Sequence, residues 1–519
     1  MRLRHWIPDL RLGVTALAAL AFAGPALAIL CHPDPPGTRS LAIHGRVDGY
    51  SMLGTRVAVK YWAKGCERRV VWQPLTSTAS QASCSSRAPS RRAKRVAFDG
   101  RLRVVLQMGS LVPDQPDRLA VYDARTGAGL HNWPLPVRAY TLDAAHGIAL
   151  LSTSNGVYAV RLSDGQFALV GVERRGDHPQ IGPAGMVYQD NRDKKHGGAR
   201  ALMKFVPSAA VDRKLHPAGP LRVPGAISDF STSGRSVIFV IPHRNGACDR
   251  IGLWSIAWHY STVLMNEPAF CPKRHGPGGI TALALGGQYL EAITRYGDVQ
   301  TLVSSTIVNC TERVVARTHI GSGTIIRRVA GGDSLMAYAL GPETVTSDKA
   351  GKIGLLHGQR RAGVLGSDSV PMQLASDRNQ LAVLRADGRV DVWGGKRLLR
   401  SFEPDGARAI ALRARELTVL TRRRTLDVFS LTGGELLHSW SVPAGTSPAV
   451  NTRFGVAVLT AGRTVFAVSL ATGRRAVLFR APASVAAQVN DAGVVYRYNL
   501  RGAGYLGFIP FAAVERGLR

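Results

Sequence analysis

Three stretches near the C-terminus repeat one pattern: residues 388–402 (GRVDVWGGKRLLRSF), 424–440 (RTLDVFSLTGGELLHSW) and 463–479 (RTVFAVSLATGRRAVLF). In each stretch a short alternation of apolar and polar residues leads through a glycine-containing turn to a second apolar run. The aligned residues Trp393, Phe429 and Val468 are 36 and 39 residues apart. Because alternation with period two is typical of strands with one buried face, each copy predicts two strands joined by a turn.

A second alternation precedes these strand pairs, for example at residues 380–385 (QLAVLR) and 455–459 (GVAVL). The full unit therefore contains four short strands in about 40 residues, which is the size of one propeller blade. About eleven such units can be drawn along the chain, including units around residues 118–133 and 156–165. We predict an all-β protein, a β-propeller built from four-stranded blades of about 40 residues.

The units at residues 118–133 and 424–440 resemble the repeats of PQQ-like and WD-type β-propellers. They share an apolar strand, a Thr-Gly turn (Thr126-Gly127 and Thr432-Gly433) and a following tryptophan. The resemblance implies that an aromatic residue of the outer strand packs between neighbouring blades. It assigns this role, rather than ligand stacking, to Trp133, Trp393 and Trp440.

The PQQ-like resemblance also implies a quinone dehydrogenase, which would require two adjacent cysteines. No adjacent cysteines occur in the sequence, so no cofactor is expected.

The number of units sets the expected domain organisation. Propeller rings typically hold four to eight blades, so two rings are expected, one over residues 29–275 and one over residues 276–519. The Pro- and Gly-rich stretch 271–279 marks the expected join. One larger ring is the alternative, if some of the units are insertions.

The first 28 residues have the three parts of a secretory signal peptide. A basic start carries Arg2, Arg4 and Arg11, the apolar run 12–23 follows, and Ala26-Leu27-Ala28 provides the small-residue exit. The apolar run is shorter than the roughly 20 residues of a membrane span. We expect cleavage after Ala28 and a secreted or cell-surface protein that does not span the membrane; the style of the signal indicates a bacterial source.

Six cysteines follow the expected cleavage point, and none belongs to a C-x-x-C motif. An even number of cysteines in an exported chain is compatible with disulfides. The local pairings expected first are Cys66 with Cys84 and Cys248 with Cys271.

The formal net charge is +31, which would attract polyanions such as acidic envelope polymers. The candidate anion-binding residues are Arg91, Arg92, Lys94 and Arg95. The interpretation that we favour for the charge is that the arginines reflect genomic composition and solvate the surface, with this cluster in a solvated connection after Cys84. Nucleic acid is not the expected partner, because no recognisable nucleic-acid-reading module is present.

Motifs for catalysis and metal binding are missing from the sequence. It contains no H-E-x-x-H zinc motif, no G-x-S-x-G nucleophile elbow and no P-loop. No catalytic, cofactor-binding or metal-binding residue is therefore predicted. We expect a non-enzymatic extracytoplasmic binding or scaffold protein whose partner is a protein or an anionic envelope polymer. The alternative is an extracytoplasmic hydrolase or lyase with carboxylates that meet at the ring axis.

Overall fold

The strands of the chain form eleven four-stranded antiparallel sheets within the described residues. The structure is a computed structural model, and it describes residues 35, 37–63, 66–76, 78–85, 95–109, 117–135, 138–153, 156–171, 178–190, 200–216, 219–233, 236–242, 249–256, 260–265, 278–286, 289–296, 299–308, 311–320, 324–331, 335–342, 350–357, 360–413 and 415–519. The prediction of an all-β protein made of four-stranded units is confirmed.

The first four sheets occupy the N-terminal part of the chain. Sheet 1 contains β2 (Arg46–Leu53), β3 (Arg56–Ala63), β4 (Cys66–Gln73) and β5 (Thr78–Ser85). Sheet 2 contains β6 (Val96–Asp99), β7 (Leu102–Gln107), β8 (Arg118–Asp123) and β9 (Gly129–Pro134). Sheet 3 contains β10 (Ala139–Ala145), β11 (Ile148–Thr153), β12 (Gly156–Arg161) and β13 (Phe167–Gly171). Sheet 4 contains β14 (Gln180–Gly182), β15 (Gly185–Asp190), β16 (Arg200–Pro207) and, as its outer strand, β1 (Arg39–His44).

Seven further sheets follow the helix α1 (Ser208–Leu215). Sheet 5 contains β18 (Asp229–Ser233), β19 (Ser236–Ile241), β20 (Arg250–Ser255) and β21 (Tyr260–Met265). Sheet 6 contains β22 (Gly278–Gly286), β23 (Tyr289–Tyr296), β24 (Val299–Val308) and β25 (Thr311–Ile320). Sheet 7 contains β26 (Thr324–Gly331), β27 (Leu335–Pro342), β28 (Gly351–His357) and β29 (Arg360–Ser367). Sheet 8 contains β30 (Pro371–Asp377), β31 (Gln380–Arg385), β32 (Val390–Gly394) and β33 (Arg397–Phe402).

Three sheets complete the chain. Sheet 9 contains β34 (Ala407–Arg413), β35 (Glu416–Thr421), β36 (Thr425–Ser430) and β37 (Leu436–Ser441). Sheet 10 contains β38 (Asn451–Arg453), β39 (Val456–Ala461), β40 (Thr464–Ser469) and β41 (Arg475–Arg480). Sheet 11 contains β42 (Val485–Val489), β43 (Gly493–Leu500), β44 (Ala503–Pro510) and, as its outer strand, β17 (Leu221–Val223). The helix α2 (Phe511–Leu518) follows β44.

Sheets 5 to 11 form a closed series of contacts. The first strand of each sheet contacts the first strand of the next, from β18 through β22, β26, β30, β34 and β38 to β42, and β42 contacts β18 again. At this closure the Gln488 side-chain amide donates to the Phe230 carbonyl (2.8 Å) and accepts from the Thr232 N–H (3.2 Å). The early strand β17 also pairs with the last strand, β44. Both ends of the segment thus meet in sheet 11.

Sheet 4 also takes its outer strand from a distant part of the chain, within the N-terminal group formed by sheets 1 to 4. Its outer strand is β1, which precedes the other three strands by more than a hundred residues. The amide of Gln180 donates to the Tyr50 carbonyl (2.8 Å) and accepts from the Met52 N–H (2.9 Å), which joins β14 to β2. The last sheet of each group is therefore tied to the first sheet of that group.

The two groups share a hydrophobic core at the C-terminal helix. Trp133 of sheet 2 and Leu142 of sheet 3 belong to the same core cluster as Ala492, in the β42–β43 turn, and Ala512 of α2. Arg118 also pairs with Glu515 of α2 (3.3 Å). In the described part of the chain, neither helix is long and apolar enough to cross a membrane.

Neighbouring sheets contact each other at their outer strands through a repeated arrangement. Trp440 of β37 lies over Gly473, in the β40–β41 turn of the next sheet, and its indole N–H donates to the Leu470 carbonyl (2.9 Å). Gly473 has a φ of +70°, and an added Cβ atom would lie 2.4 Å from a Trp440 ring carbon. Trp133 of β9 lies in the same way over Gly165 of the β12–β13 turn. Glycine is needed because the turn is left-handed and the aromatic ring is close.

We expect Gly473→Ala to destabilise the protein more than Gly462→Ala. Gly462 has a φ of +56° but no atom within 4 Å of its Cβ position, so both variants share a left-handed backbone cost of about 1–2 kcal/mol. Only Gly473→Ala adds overlap with Trp440, which costs about a further 1–3 kcal/mol. Urea unfolding of both variants measures the difference, and equal losses would contradict the packing of Trp440 on this turn.

Candidate functional site

The first strands of sheets 5 to 11 enclose a common cavity of about 370 Å³. Every one of these seven strands, or the residues directly beside it, contributes to the wall. Most of the wall is small or polar: Ser231, Thr232, Ser233, Ala284, Ala330, Gly331, Gln373, Ala375, Ser376, Asn451, Thr452, Gln488 and Asn490. Small side chains are required here because seven strands converge on one axis. We call this space the axial cavity.

Side-chain amides hold the first strands at fixed separations around the axial cavity. Gln373 of β30 donates to the Ile410 carbonyl (3.4 Å) and accepts from the Ile410 N–H (2.9 Å) of β34. Gln488 makes the corresponding pair of bonds from β42 to β18. These bonds satisfy backbone groups that have no partner strand on that side, which is a strong requirement at a partly buried sheet edge.

Two ion pairs lie at one end of the axial cavity. Asp377, at the end of β30, pairs with Arg413, at the end of β34. Arg453, at the end of β38, pairs with Asp491, two residues after the end of β42. Asp377 and Arg413 are only 4% and 14% exposed, and removing one member of so buried a pair typically costs about 3–5 kcal/mol. These charges therefore join neighbouring sheets, and each carboxylate at the axis is held by an arginine.

Two hydroxyl groups of the axial cavity are buried and have no hydrogen-bond partner in the described structure. They are the Oγ atom of Ser376 and the Oγ1 atom of Thr452. Such groups cost free energy unless a ligand or water satisfies them. The described residues contain no cluster of three or more His, Cys, Asp or Glu side chains that could hold a metal ion. The wall is suited to hydrogen bonding with a polar group.

The three predicted packing tryptophans lie at contacts between sheets. Trp133 is buried and stacks on His131, with ring centroids 4.7 Å apart. Trp393 of β32 packs against a core cluster made by sheets 7 and 8. Its indole N–H is buried without an acceptor among the described residues. Trp440 is partly buried over the turn of sheet 10. None of the three lines the axial cavity.

The predicted disulfides and anion-binding residues lie mostly outside the described residues. Cys66 is disulfide-bonded. Its predicted partner Cys84 belongs to the adjacent strand β5, but the side chain of Cys84 is among those not described, so this pairing stays a prediction. Cys248 and Cys271 also lie outside the described residues.

Of the basic cluster, Arg91, Arg92 and Lys94 are not described, and Arg95 is exposed directly before β6. The structure therefore does not test this cluster as an anion-binding segment.

Sequence reasoning missed the charged residues of the axial cavity. Asp377, Arg413 and Arg453 each lie three residues before the second strand of their sheet begins. The available signal was that this position holds an aspartate in sheet 8 and an arginine in sheet 9. Opposite charges at equivalent positions of neighbouring units indicate a contact between the units.

Glu291 of β23 is a buried carboxyl group outside the axial cavity wall. It is 1% exposed, and it accepts a hydrogen bond from the Ser304 hydroxyl (2.7 Å). Burial raises the pKa of Glu291 from its ordinary 4.5 to about 8, and the hydrogen bond from Ser304 only partly opposes this shift. Between these two values the unfolded chain loses the proton while the folded chain keeps it. The free energy of unfolding should therefore fall as the pH rises from about 4.5 to about 8.

We expect Glu291→Gln to remove this pH dependence. Glutamine keeps the shape and can still accept from Ser304, but it carries no charge. The variant should gain about a few kcal/mol over the wild type at pH 8 and much less at pH 5. Urea unfolding at both pH values measures the gain. The exposed Glu435→Gln is the control, and an equal gain in the control would contradict a burial effect at Glu291.

Solved structures that are similar to this chain include β-propellers. A chain of the mitotic checkpoint complex is 14% identical with a TM-score of 0.39, and the match covers 57% of this chain and 95% of that one. The WD40 β-propeller domain of Doa1 is 13% identical with a TM-score of 0.40, and the match covers 56% of this chain and 95% of that one. At these values neither likeness says anything about function.

No protein-family model matches the sequence, and no curated protein matches it. The PQQ-like part of the predicted resemblance therefore stays a prediction.

Proposed function

We propose that the protein is a non-enzymatic binding or scaffold protein that works outside the cytoplasm of a bacterial cell. Its propeller surfaces would hold a protein or an anionic envelope polymer. The observation that carries the non-enzymatic part is the composition of the axial cavity. Its wall consists of small, hydroxyl and amide side chains, and its carboxylates Asp377 and Asp491 are each paired with an arginine.

A hydrolase or lyase at the axis would need a different arrangement. General acid–base catalysis uses a carboxyl or imidazole group that is free to exchange protons with the substrate. Asp377 is engaged by Arg413, and no histidine is among the described residues that form the wall of the axial cavity. The binding function is therefore favoured over the enzymatic alternative.

The division of the chain into two units is also a proposal. Strand β17 pairs with β44, and sheet 5 before residue 275 contacts sheet 6 after it. These contacts support a seven-sheet unit that begins near residue 220, after α1, rather than at the Pro- and Gly-rich stretch 271–279. Sheets 1 to 4 would then form a smaller N-terminal unit.

Export is supported by the sequence of residues 1–28 and by the disulfide at Cys66. We expect the protein recovered from outside the cytoplasm to begin at Ile29, because Ala26-Leu27-Ala28 provides the cleavage site. N-terminal sequencing of the native protein tests this. Replacing Ala28 with a bulky residue should block cleavage, and a native protein that begins at Met1 would contradict export through this signal.

The association with envelope polymers is tested by co-sedimentation. We expect the purified protein without residues 1–28 to sediment with envelope fractions of its source at low salt. Because screening shortens the reach of exposed charges to about 8 Å at physiological ionic strength, retention should fall steeply as salt rises. Salt-resistant retention would identify a specific protein partner instead. No retention at any salt would overturn the proposal and favour the enzymatic alternative.

A further inference from the structure

A second pocket, of about 630 Å³, lies between sheets 8 and 9. It is built at the strand ends opposite to the ion pairs of the axial cavity. Its wall comes from the β31–β32 turn, the β33–β34 connection, Arg422 after β35, and the exposed side chains of Met372 and Pro448. We call it the arginine pocket, because Arg385, Arg389, Arg408 and Arg422 line it.

We propose that the arginine pocket binds an oxyanion group, carboxylate or phosphate, of an acidic polysaccharide. This inference rests on the proposed function and names the site that would hold the anionic polymer. Arg408 and Arg422 would bind the oxyanion, and Met372 and Pro448 would contact an apolar face of the sugar.

The acidic residues around the pocket are already engaged by other arginines. Arg385 pairs with Asp387 (2.5 Å), and Arg389 pairs with Glu403 (2.8 Å). Asp405, in the same connection, pairs with Arg423 (2.6 Å).

Arg408 and Arg422 differ from the other arginines of the pocket. Both are exposed, and neither is paired with a carboxylate within the described residues. Two guanidinium groups are thus left to face the pocket without a counter-charge.

The backbone positions both arginines. Arg408 is the extra residue of a β-bulge, because Ala407 pairs with Thr421 and Ala409 pairs with Leu420. Bulges redirect a side chain out of the regular sheet. Met372 occupies the corresponding bulge of sheet 8, between Pro371 and Gln373. The two bulged side chains therefore reach the same pocket from neighbouring sheets.

Arg422 is held against the opposite wall. The backbone N–H of Arg422 donates to the Gly406 carbonyl (2.8 Å). A Cβ atom added at Gly406, where φ is +63°, would lie 3.2–3.3 Å from three carbons of the Arg422 side chain. The stem of Arg422 thus packs closely against the turn at Gly406. A side chain whose stem is packed in this way loses less freedom when its guanidinium group binds an oxyanion through two N–H groups.

The test uses dextrans that share one backbone. Carboxymethyl-dextran and phosphodextran carry the two candidate groups, and unmodified dextran is the neutral probe. We expect the purified wild-type protein to bind one or both charged dextrans and not the neutral one. The charged dextran that binds more tightly identifies the source of the oxyanion.

The double variant Arg408→Gln/Arg422→Gln should weaken this binding about tenfold, since each charge-assisted hydrogen bond contributes measurably. The matched control is Arg397→Gln/Arg415→Gln, which removes the same charge from exposed residues of sheets 8 and 9 at the other strand ends. It should change the affinity less than about twofold. Arg408→Lys/Arg422→Lys keeps the charge but not the paired N–H groups, and it should lie between the wild type and the glutamine variant.

Equal weakening in the glutamine variant and its control would overturn the inference, because the overall charge would then explain binding. So would failure of the wild type to bind either charged dextran while it still sediments with envelope fractions, and in that case the proposed function would stand. Failure of both assays would remove the proposed function as well.

Discussion

Every sheet of this protein has two apolar faces to cover, and the architecture follows from that requirement. In β31 the five residues from Leu381 to Arg385 are all buried, so alternate side chains are removed from water on both faces of the sheet. A row of stacked sheets always leaves one face exposed at each end. Each buried Å² of apolar surface contributes about 25 cal/mol, and closing the row recovers this contribution at both ends. The pairing of β17 with β44 and the bonds of Gln488 stabilise this closure in the seven-sheet group.

In the contacts between outer strands, the turn that is covered recurs, whereas the residue that covers it varies. Trp440 lies over Gly473 and Trp133 lies over Gly165. Arg400 of β33 lies two residues before the position that aligns with Trp440, and it covers the corresponding turn of sheet 9, where it donates to the carbonyls of Thr432 (2.9 Å) and Gly433 (2.7 Å). An indole ring and a guanidinium group both cover the turn of the next sheet. This explains why the repeat is degenerate in sequence although its geometry recurs.

The sequence predicted the four-stranded units because alternation and glycine turns are local signals. The count of about eleven units agrees with the eleven sheets of the described chain. Closure was not predictable, because β17 has only three residues and pairs with Leu506 and its neighbours far along the chain. The axial ion pairs were also missed, since Asp377 and Arg413 meet only when two neighbouring units are placed side by side. The spacing of residues within one unit carries no information about contacts between side chains of different units.

Arginine occupies several turns of this chain where the backbone conformation favours glycine. The turns that follow β31 and β35 contain the same hydrogen bond. The backbone N–H of Gly388 donates to the Arg385 carbonyl (3.0 Å), and the backbone N–H of Arg424 donates to the Thr421 carbonyl (3.2 Å). Both residues are left-handed, with φ of +89° and +62°. Glycine accepts this conformation without steric cost, whereas for arginine it costs about 1–2 kcal/mol. Arg378, in the β30–β31 turn, and Arg501, in the β43–β44 turn, are left-handed as well, with φ of +51° and +50°. Neither lies in the wall of the arginine pocket. The left-handed arginines are thus spread over turns of several sheets, and the surrounding sheet structure offsets a cost of this size.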